Sequence, residues 1–122
     1  MPGRLVHFEI AAADSNRAMD FYKSVFGWEF SDSGMPDIEY NMTQAGGEPG
    51  GAVYPGPDGQ IGILVYFDTD DIDASIAKVR GAGGEAPDKA PIPGVGWFSH
   101  CKDTEGNEFG LFKSDESVAA HG

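Results

Sequence analysis

The segment Leu5 to Ala12 is the first with a clear pattern, because polar and apolar residues alternate along it. Alternation with a period of two is typical of a β-strand that has one buried face. It places Phe8 and Ile10 on one face of the strand. His7 and Glu9 fall together on the opposite face, so this strand carries two side chains capable of acid–base chemistry.

A helix is predicted directly after this strand, and the whole unit is then repeated. Asp14 stands at the helix N-cap position, apolar residues follow at helical spacing, and Gly27 supplies the C-terminal stop. A strand at 64–69 opens the repeat, and Asp71 lies 57 residues after Asp14. Gly84 takes the place of Gly27. A repeat over about half the chain predicts an internal duplication.

Further strands are predicted in both halves, between turns rich in glycine and proline. In the second half, a hairpin is expected around the turn at 103–106. The chain is therefore interpreted as one domain, 1–122, with module one at about 5–55, a linker at about 56–61, module two at about 62–113 and a tail at 114–122. The additional predicted strands are Trp28–Phe30, Ile38–Gln44, about Gly50–Tyr54, Trp97–Lys102 and Asn107–Lys113.

Charge and cysteine content narrow the function classes. The 122 residues carry a formal net charge of −12, which argues against nucleic acid or a membrane as a partner, because both attract basic surfaces. The one cysteine, Cys101, leaves no disulfide within the chain, and we expect it to be a small buried residue. No secretory signal and no bilayer-length apolar run is visible, which predicts a cytoplasmic protein.

Three segments carry a family resemblance: LVHFEIAAADSNRAMDFYKSVFGW, ILVYFDTDDIDASIAKVRGAGGE and PGVGWFSHCKDTEGNEFGLF. They span most of residues 5–113 and resemble the vicinal-oxygen-chelate superfamily. This superfamily includes lactoylglutathione lyases, bleomycin-binding proteins, extradiol dioxygenases and fosfomycin-resistance enzymes. The similarity is closest to the group of predicted enzymes related to lactoylglutathione lyase. The resemblance implies an α+β glyoxalase/bleomycin-resistance fold, in which two βαβββ modules form a half-open, cup-shaped mixed sheet, and it implies a homodimer.

The resemblance also implies where a divalent metal would bind. In metal-using members, the ligands come from the first and last strands of each module. The matching positions here are His7, Leu64, Gly110 and about Ala52. Only His7 has a side chain that can coordinate a metal, so the usual metal site is expected to be degenerate and no cofactor is expected.

Two readings of His7 and Glu9 remain open. They are candidate catalytic residues, with Glu9 orienting His7 or acting as the base, or they form a polar pair at a cavity wall. If Trp97 and Cys101 pack toward the helix, His100 faces the cup with Phe98. His7, Glu9 and His100 would then be an unconventional metal or acid–base site.

Aromatic residues with the same strand parity predict a ligand surface. Aromatic side chains in a concave site suit a planar or apolar ligand, although they are also suited simply to filling the interior. The candidate ligand-binding residues are Tyr54, Tyr66, Phe98, His100, Glu108 and Phe112.

Three functions remain open at this point. The first is binding of a small, partly aromatic molecule in the cup without the usual metal. The second is a lyase- or isomerase-type enzyme that uses His7 and Glu9, with or without an unconventional divalent metal. The third is a ligand-sensing or partner-binding module. The missing ligands at Leu64 and Gly110 favour the first by a narrow margin, and whether the chain is an enzyme stays open.

Overall fold

The structure is a computed structural model that describes residues 3–35, 38–45 and 47–118. The described chain divides into two compact units, one over Val6–Val65 and the other over residues 3–5 and 66–118. The last four positions of the predicted tail, including His121, lie outside the described residues. None of the helices in the described ranges has the length and apolar character needed to cross a membrane.

The unit Val6–Val65 contains the first helix and four strands in the order βαβββ, as predicted, together with the first residues of the fifth strand. Its strands are arranged β2-β3-β4-β1, with β1 and β4 parallel and the other neighbours antiparallel. A single 3-10 turn at Pro57–Gly59 follows β4. The elements are β1 (Leu5–Ala12), α1 (Ser15–Phe26), β2 (Ser31–Asp32), β3 (Asn41–Thr43) and β4 (Gly51–Pro55).

The predicted limits of α1 are confirmed by its two caps. The Asp14 side chain accepts a hydrogen bond from the backbone N–H of Arg17, which satisfies one donor at the open helix end. Gly27 closes the helix in the left-handed conformation, with φ of 73°. The apolar face of α1 packs on a core built around Ile10 and Val53. Partly buried side chains that join this core are Phe8, Ala18, Met19, Tyr22, Trp28 and Phe30.

The predicted strand Trp28–Phe30 is wrong. These residues form no strand ladder, and pairing with β3 is confined to β2 at Ser31–Asp32. Trp28 instead stacks on Tyr22 of α1, with ring centroids 5.1 Å apart. Burial of a large ring against the helix competes with the strand preference of the same residues. The next predicted strand, Ile38–Gln44, is shorter than expected and is reduced to β3.

The second unit also follows the order βαβββ. Its strands are arranged β5-β8-β7-β6, with β5 and β8 parallel and the other neighbours antiparallel. Its core contains Ile76, Cys101 and Leu111, joined by Trp97 and Phe109. The elements are β5 (Gly62–Asp68), α2 (Ile72–Gly81), β6 (Ala90–Ile92), β7 (Gly96–Lys102) and β8 (Glu108–Ser114).

The start of α2 is confirmed and its predicted end is wrong. Asp71 caps the helix by accepting from the N–H of Ala74. The helix ends at Gly81 and not at Gly84. Gly84 lies close to the backbone of β7, and a Cβ at this position would lie 2.5 Å from the carbonyl oxygen of Lys102. The glycine is needed for a close backbone approach to β7, not for the helix stop.

Candidate functional site

The functional candidates His7 and Glu9 are joined by a third residue, Tyr40. The Tyr40 hydroxyl lies 2.6 Å from His7 Nε2 and donates a hydrogen bond of 2.7 Å to Glu9 Oε2. The His7 and Tyr40 rings are also stacked, with centroids 6.1 Å apart. All three side chains are half-buried. The unit Val6–Val65 therefore presents a hydrogen-bonded chain from an imidazole through a phenol to a carboxylate.

The direction of these hydrogen bonds indicates which ring nitrogen of His7 carries a hydrogen. A phenol has one hydroxyl hydrogen, and in this arrangement Tyr40 gives it to Glu9. The Tyr40 oxygen must then accept from His7, so His7 Nε2 carries a hydrogen. Burial lowers the pKa of His7 below its usual value of 6.5, and the negative charge of Glu9 opposes that shift.

Aromatic and small residues lie on the same face of the sheet as His7, Tyr40 and Glu9. Tyr54 lies beside Tyr40, with ring centroids 5.9 Å apart. Glu9 is the cross-strand partner of Ala52, which is fully buried. Sequence analysis did not identify Tyr40, although it fell in the predicted strand Ile38–Gln44. The β3–β4 register, which pairs Asn41 with Val53, is the signal that would have placed Tyr40 beside Tyr54.

The second unit brings together a different group of predicted residues. The hydroxyl of the buried Tyr66 lies 2.7 Å from His100 Nε2. Phe98 lies beside His100, with ring centroids 5.0 Å apart, and is the cross-strand partner of Phe112. Glu108, also predicted as a ligand-binding residue, is exposed near the turn end of β8.

Three of the four positions that the resemblance implies for metal ligands carry no side-chain donor atom, namely Ala52, Leu64 and Gly110. A Cβ built on Gly110 would lie 2.2 Å from Cδ2 of Tyr66, so the tyrosine ring occupies the space of a side chain there. Ala52 is packed without exposed surface, and Leu64 has no donor atom. In residues 3–35, 38–45 and 47–118, no three His, Cys, Asp or Glu side chains are grouped so that they could hold a metal ion.

Two clefts lie away from the Tyr40 hydroxyl. One, of about 440 Å³, is at the start of α1 and is lined by apolar residues that include Phe21 and Ile61, together with Asp14 and Arg17. The other, of about 290 Å³, belongs to the second unit, where His100 and Lys102 face Glu85 and Pro87. His100 therefore both contacts Tyr66 and lines this cleft.

A comparison with protein families finds one match over most of the chain. A family model described as "Glyoxalase-like domain" matches residues 7–112. The match begins at His7 and ends at Phe112, so it includes both groups of side chains described above.

Relatives identified by sequence agree with this match. Proteins named "Putative glyoxylase CFP32" from Mycobacterium bovis and Mycobacterium tuberculosis are 31% identical over 120 residues, which cover 92% of this chain and 46% of theirs. The chain thus spans about half the length of these relatives. A "Glyoxylase-like domain-containing protein" from Didymella fabae is 32% identical over 116 residues, covering 86% of this chain and 89% of that protein.

Solved structures show the same fold at low sequence identity. Hypothetical protein BH1468 from Bacillus halodurans C-125 has a TM-score of 0.75 and 13% identity, covering 97% of this chain and 99% of that chain. Methylmalonyl-CoA epimerase from Mycobacterium tuberculosis has a TM-score of 0.67 and 17% identity, covering 91% of this chain and 87% of that chain. The glyoxalase/bleomycin-resistance fold class predicted from the sequence is confirmed.

Proposed function

Because the chain belongs to the family of glyoxalase-like domains in the vicinal-oxygen-chelate superfamily, we propose that it binds a small, partly aromatic molecule without a divalent metal. The Tyr66 ring at Gly110 is the observation that carries this proposal. Where the resemblance implies a metal ligand, the chain has a glycine whose side-chain space is already filled by a packed ring.

The proposed ligand surface in the unit Val6–Val65 is built from rings and one polar chain. Tyr40 and Tyr54 offer ring faces for an aromatic or apolar body, and His7 and Glu9 offer polar groups that can orient a ligand. Rings set by neighbouring strands lose little freedom when a ligand binds, which supports binding by stacking.

Metal analysis directly tests the proposal that the protein binds its ligand without a divalent metal. The untagged protein is analysed by elemental mass spectrometry, and its thermal unfolding is measured with added Zn²⁺, Ni²⁺, Mn²⁺ and Fe²⁺. We expect no stoichiometric metal and no rise in Tm, since a specific ligand stabilises the folded state. One tightly held metal per chain that is lost in His7→Ala would overturn the proposal.

Ligand binding is tested by NMR with a library of small aromatic molecules. We expect shifts of the Tyr40 and Tyr54 ring signals and no such shifts with aliphatic controls of similar size. Tyr54→Leu should weaken binding, whereas Phe21→Leu, a change of an exposed ring on α1, should leave it unchanged. Aromatic ligands that bind equally to both variants would contradict the proposed surface.

A second candidate function is proton transfer by the chain of His7, Tyr40 and Glu9. An imidazole, a phenol and a carboxylate joined by hydrogen bonds are suited to moving a proton at a carbon next to a carbonyl. Methylmalonyl-CoA, named with the similar structures, is a suitable probe. Deuterium incorporation at its acidic carbon in ²H₂O, lost in Glu9→Gln and retained in Glu29→Gln, would support this function. If deuterium is incorporated no faster than in the absence of the protein, proton transfer on this substrate is rejected.

The negative charge of the protein favours binding of a small aromatic molecule over a reaction on CoA esters. A CoA ester carries several negative phosphate charges, and the chain has a net charge of −12. In the unit Val6–Val65, the only Lys and Arg residues of the sequence are Arg17 and Lys23, both on α1. A phosphate bound near Glu9 would therefore find no Lys or Arg on β1, β3 or β4.

The homodimer and the cytoplasmic location remain predictions. Several large apolar side chains are more than half exposed, among them Phe21, Phe26 and Ile61, and this favours a covered surface in an assembly. Light scattering on the untagged protein measures its mass directly. A monomer at all accessible concentrations would contradict the predicted dimer.

A further inference from the structure

The cleft of about 290 Å³ in the second unit carries charges of both signs. Its lining residues are Glu85, Ala86, Pro87, His100 and Lys102. Glu85 contributes a negative charge and Lys102 a positive charge, and both residues are exposed. Ligand sites in proteins begin at about 300 Å³, so this cleft has the size for a small molecule with two charged groups.

Backbone pairing places the two charged residues side by side. Glu85 and Lys102 form an antiparallel bridge, in which each backbone N–H donates to the carbonyl oxygen of the other, at 2.9 and 2.8 Å. Residues opposite each other in such a pair direct their side chains to the same face of the sheet. His100 lies two residues before Lys102 on β7 and shares this face. The bridge therefore collects a carboxylate, an ammonium group and an imidazole at one cleft.

The cleft wall at residues 85–87 is also held by hydrogen bonds from two side chains. The buried Ser99 donates its hydroxyl hydrogen to the carbonyl oxygen of Pro87, at 2.8 Å. Arg80 Nε donates to the carbonyl oxygen of Ala86, also at 2.8 Å, and Ala86 belongs to the core of this unit. A wall fixed in this way loses little conformational freedom when a ligand binds, which favours binding.

The two charges of the cleft are not used on each other. In residues 3–35, 38–45 and 47–118, neither Glu85 nor Lys102 forms an ion pair. An exposed pair would contribute only about 0–1 kcal/mol, so engaging both groups with a ligand costs little. A ligand with a single charge would meet one attractive and one repulsive group, whereas a zwitterion meets an opposite charge at each end. The net charge of −12 further disfavours a simple anion.

We infer that this cleft binds a small zwitterion, of the class of free α-amino acids with an apolar side chain. Lys102 pairs with the carboxylate of the ligand, and Glu85 pairs with its ammonium group. Ala86 and Pro87 contribute apolar atoms to the lining, which suits an apolar side chain. The site lies within the second unit and does not use the ligand surface proposed in the unit Val6–Val65, so either proposal can fail without the other.

Leucine tests the inference beside two compounds that each lack one of its charged groups. Isoamylamine has the same side chain without the carboxylate, and isocaproate has it without the ammonium group. Binding is followed by the backbone amide signals of Glu85, His100 and Lys102 in NMR titrations at neutral pH and fixed ionic strength. We expect leucine to bind about tenfold more tightly than either compound, because only leucine engages both charges. Equal binding of the three compounds, or no binding of leucine, would overturn the inference.

Variants of the two charged residues should each remove one half of the recognition. Lys102→Gln should weaken leucine about tenfold without weakening isoamylamine, which has no carboxylate for Lys102 to bind. Glu85→Gln should weaken leucine about tenfold without weakening isocaproate, which has no ammonium group. An equal loss for all three compounds would point to a change in the cleft wall and would contradict the assigned pairing.

Matched controls separate the cleft from the charge of the whole chain. Lys78→Gln on α2 and Glu105→Gln in the β7–β8 turn each remove one exposed charge from the same unit, and both should leave the affinity for leucine unchanged. Urea unfolding confirms that all four variants are folded, as expected for changes at exposed side chains. If the controls weaken leucine as much as Lys102→Gln and Glu85→Gln do, net charge explains the binding and the inference is overturned.

Discussion

The ring of Phe8 lies over Gly51, its cross-strand partner on β4, where a Cβ would come within 2.5 Å of three ring atoms. The second unit repeats this relationship between Tyr66 and its partner Gly110 on β8. In both units, an aromatic residue of the first strand fills the side-chain space of a glycine on the last strand. The glycine makes close ring packing feasible, since it has no side chain to displace the ring.

Gly110→Ala should destabilise the protein by about 1–3 kcal/mol, because the added methyl group meets the ring of the buried Tyr66. Urea unfolding measures the change. Gly81→Ala is the control, since a Cβ at the end of α2 meets nothing within 4 Å. It should stabilise by up to about 1 kcal/mol. In a Tyr66→Ala background, Gly110→Ala should cost much less. An equal cost in both backgrounds would show that the ring is not the obstacle.

His7 should titrate below 6.5 in NMR spectra of its imidazole, because burial disfavours its charged form. Glu9→Gln should lower the pKa of His7 further, since the charge of Glu9 raises it. Comparison with His7→Gln assigns the signal. A pKa of His7 that rises in Glu9→Gln would contradict the described contact.

The lowered pKa of His7 also predicts a pH dependence of stability. At pH values below 6.5, the unfolded chain takes up a proton on His7 before the folded chain does, so the free energy of unfolding decreases as pH falls through this range. Below the folded pKa the loss is complete. His7→Gln should flatten this part of the curve, measured by urea unfolding at a series of pH values, and an unchanged slope would refute the link.

The carboxylate of Asp103 should stabilise the folded protein at neutral pH and lose this effect in acid, because the charged form organises the β7–β8 turn. It accepts hydrogen bonds from the backbone N–H groups of Glu105 and Asn107, and the bonds from Asn107 are the main cause that lowers the pKa of Asp103. Its stabilising effect is present above the unfolded value of 3.8 and is lost as pH falls through the lower folded value. Asp103→Asn should lower Tm at neutral pH and reduce the loss of Tm in acid. Glu105→Gln is the matched control, and an equal effect in both variants would argue against a specific role of Asp103.

Cys101 should react slowly with thiol reagents in the folded protein. Its side chain is 1% exposed, and burial raises the pKa of its thiol, which reduces the reactive thiolate at neutral pH. The measurement is the rate of modification with and without denaturant. Rapid modification of the folded chain would indicate that β7 opens locally much more easily than its packing implies.

Much of the fold could be predicted because the relevant signals are local. The limits of β1 and of α1 follow from alternation in Leu5–Ala12 and from the caps Asp14 and Gly27, and the structure reproduces both. The errors at Trp28–Phe30 and at Gly84 have a common cause. Trp28 packs on Phe8 of β1 and Gly84 approaches Lys102, and these contacts between residues distant in the chain override local preference.

The candidate site was predicted only in part for the same reason. Strand parity identified His7 and Glu9, but their connection runs through Tyr40, which is 33 residues from His7 in the chain. No local pattern marks Tyr40, because it precedes the short strand β3 and is placed by the pairing of β3 with β4.

The sequence by itself determined the duplicated βαβββ order, the family and the lack of ligand-capable side chains at Ala52, Leu64 and Gly110. These follow from residue identity and from spacing along the chain. Only the tertiary structure decided that Tyr40 links His7 to Glu9 and that the Tyr66 ring fills the space beside Gly110. Both depend on strand register, in which a shift of one residue turns each side chain to the other face.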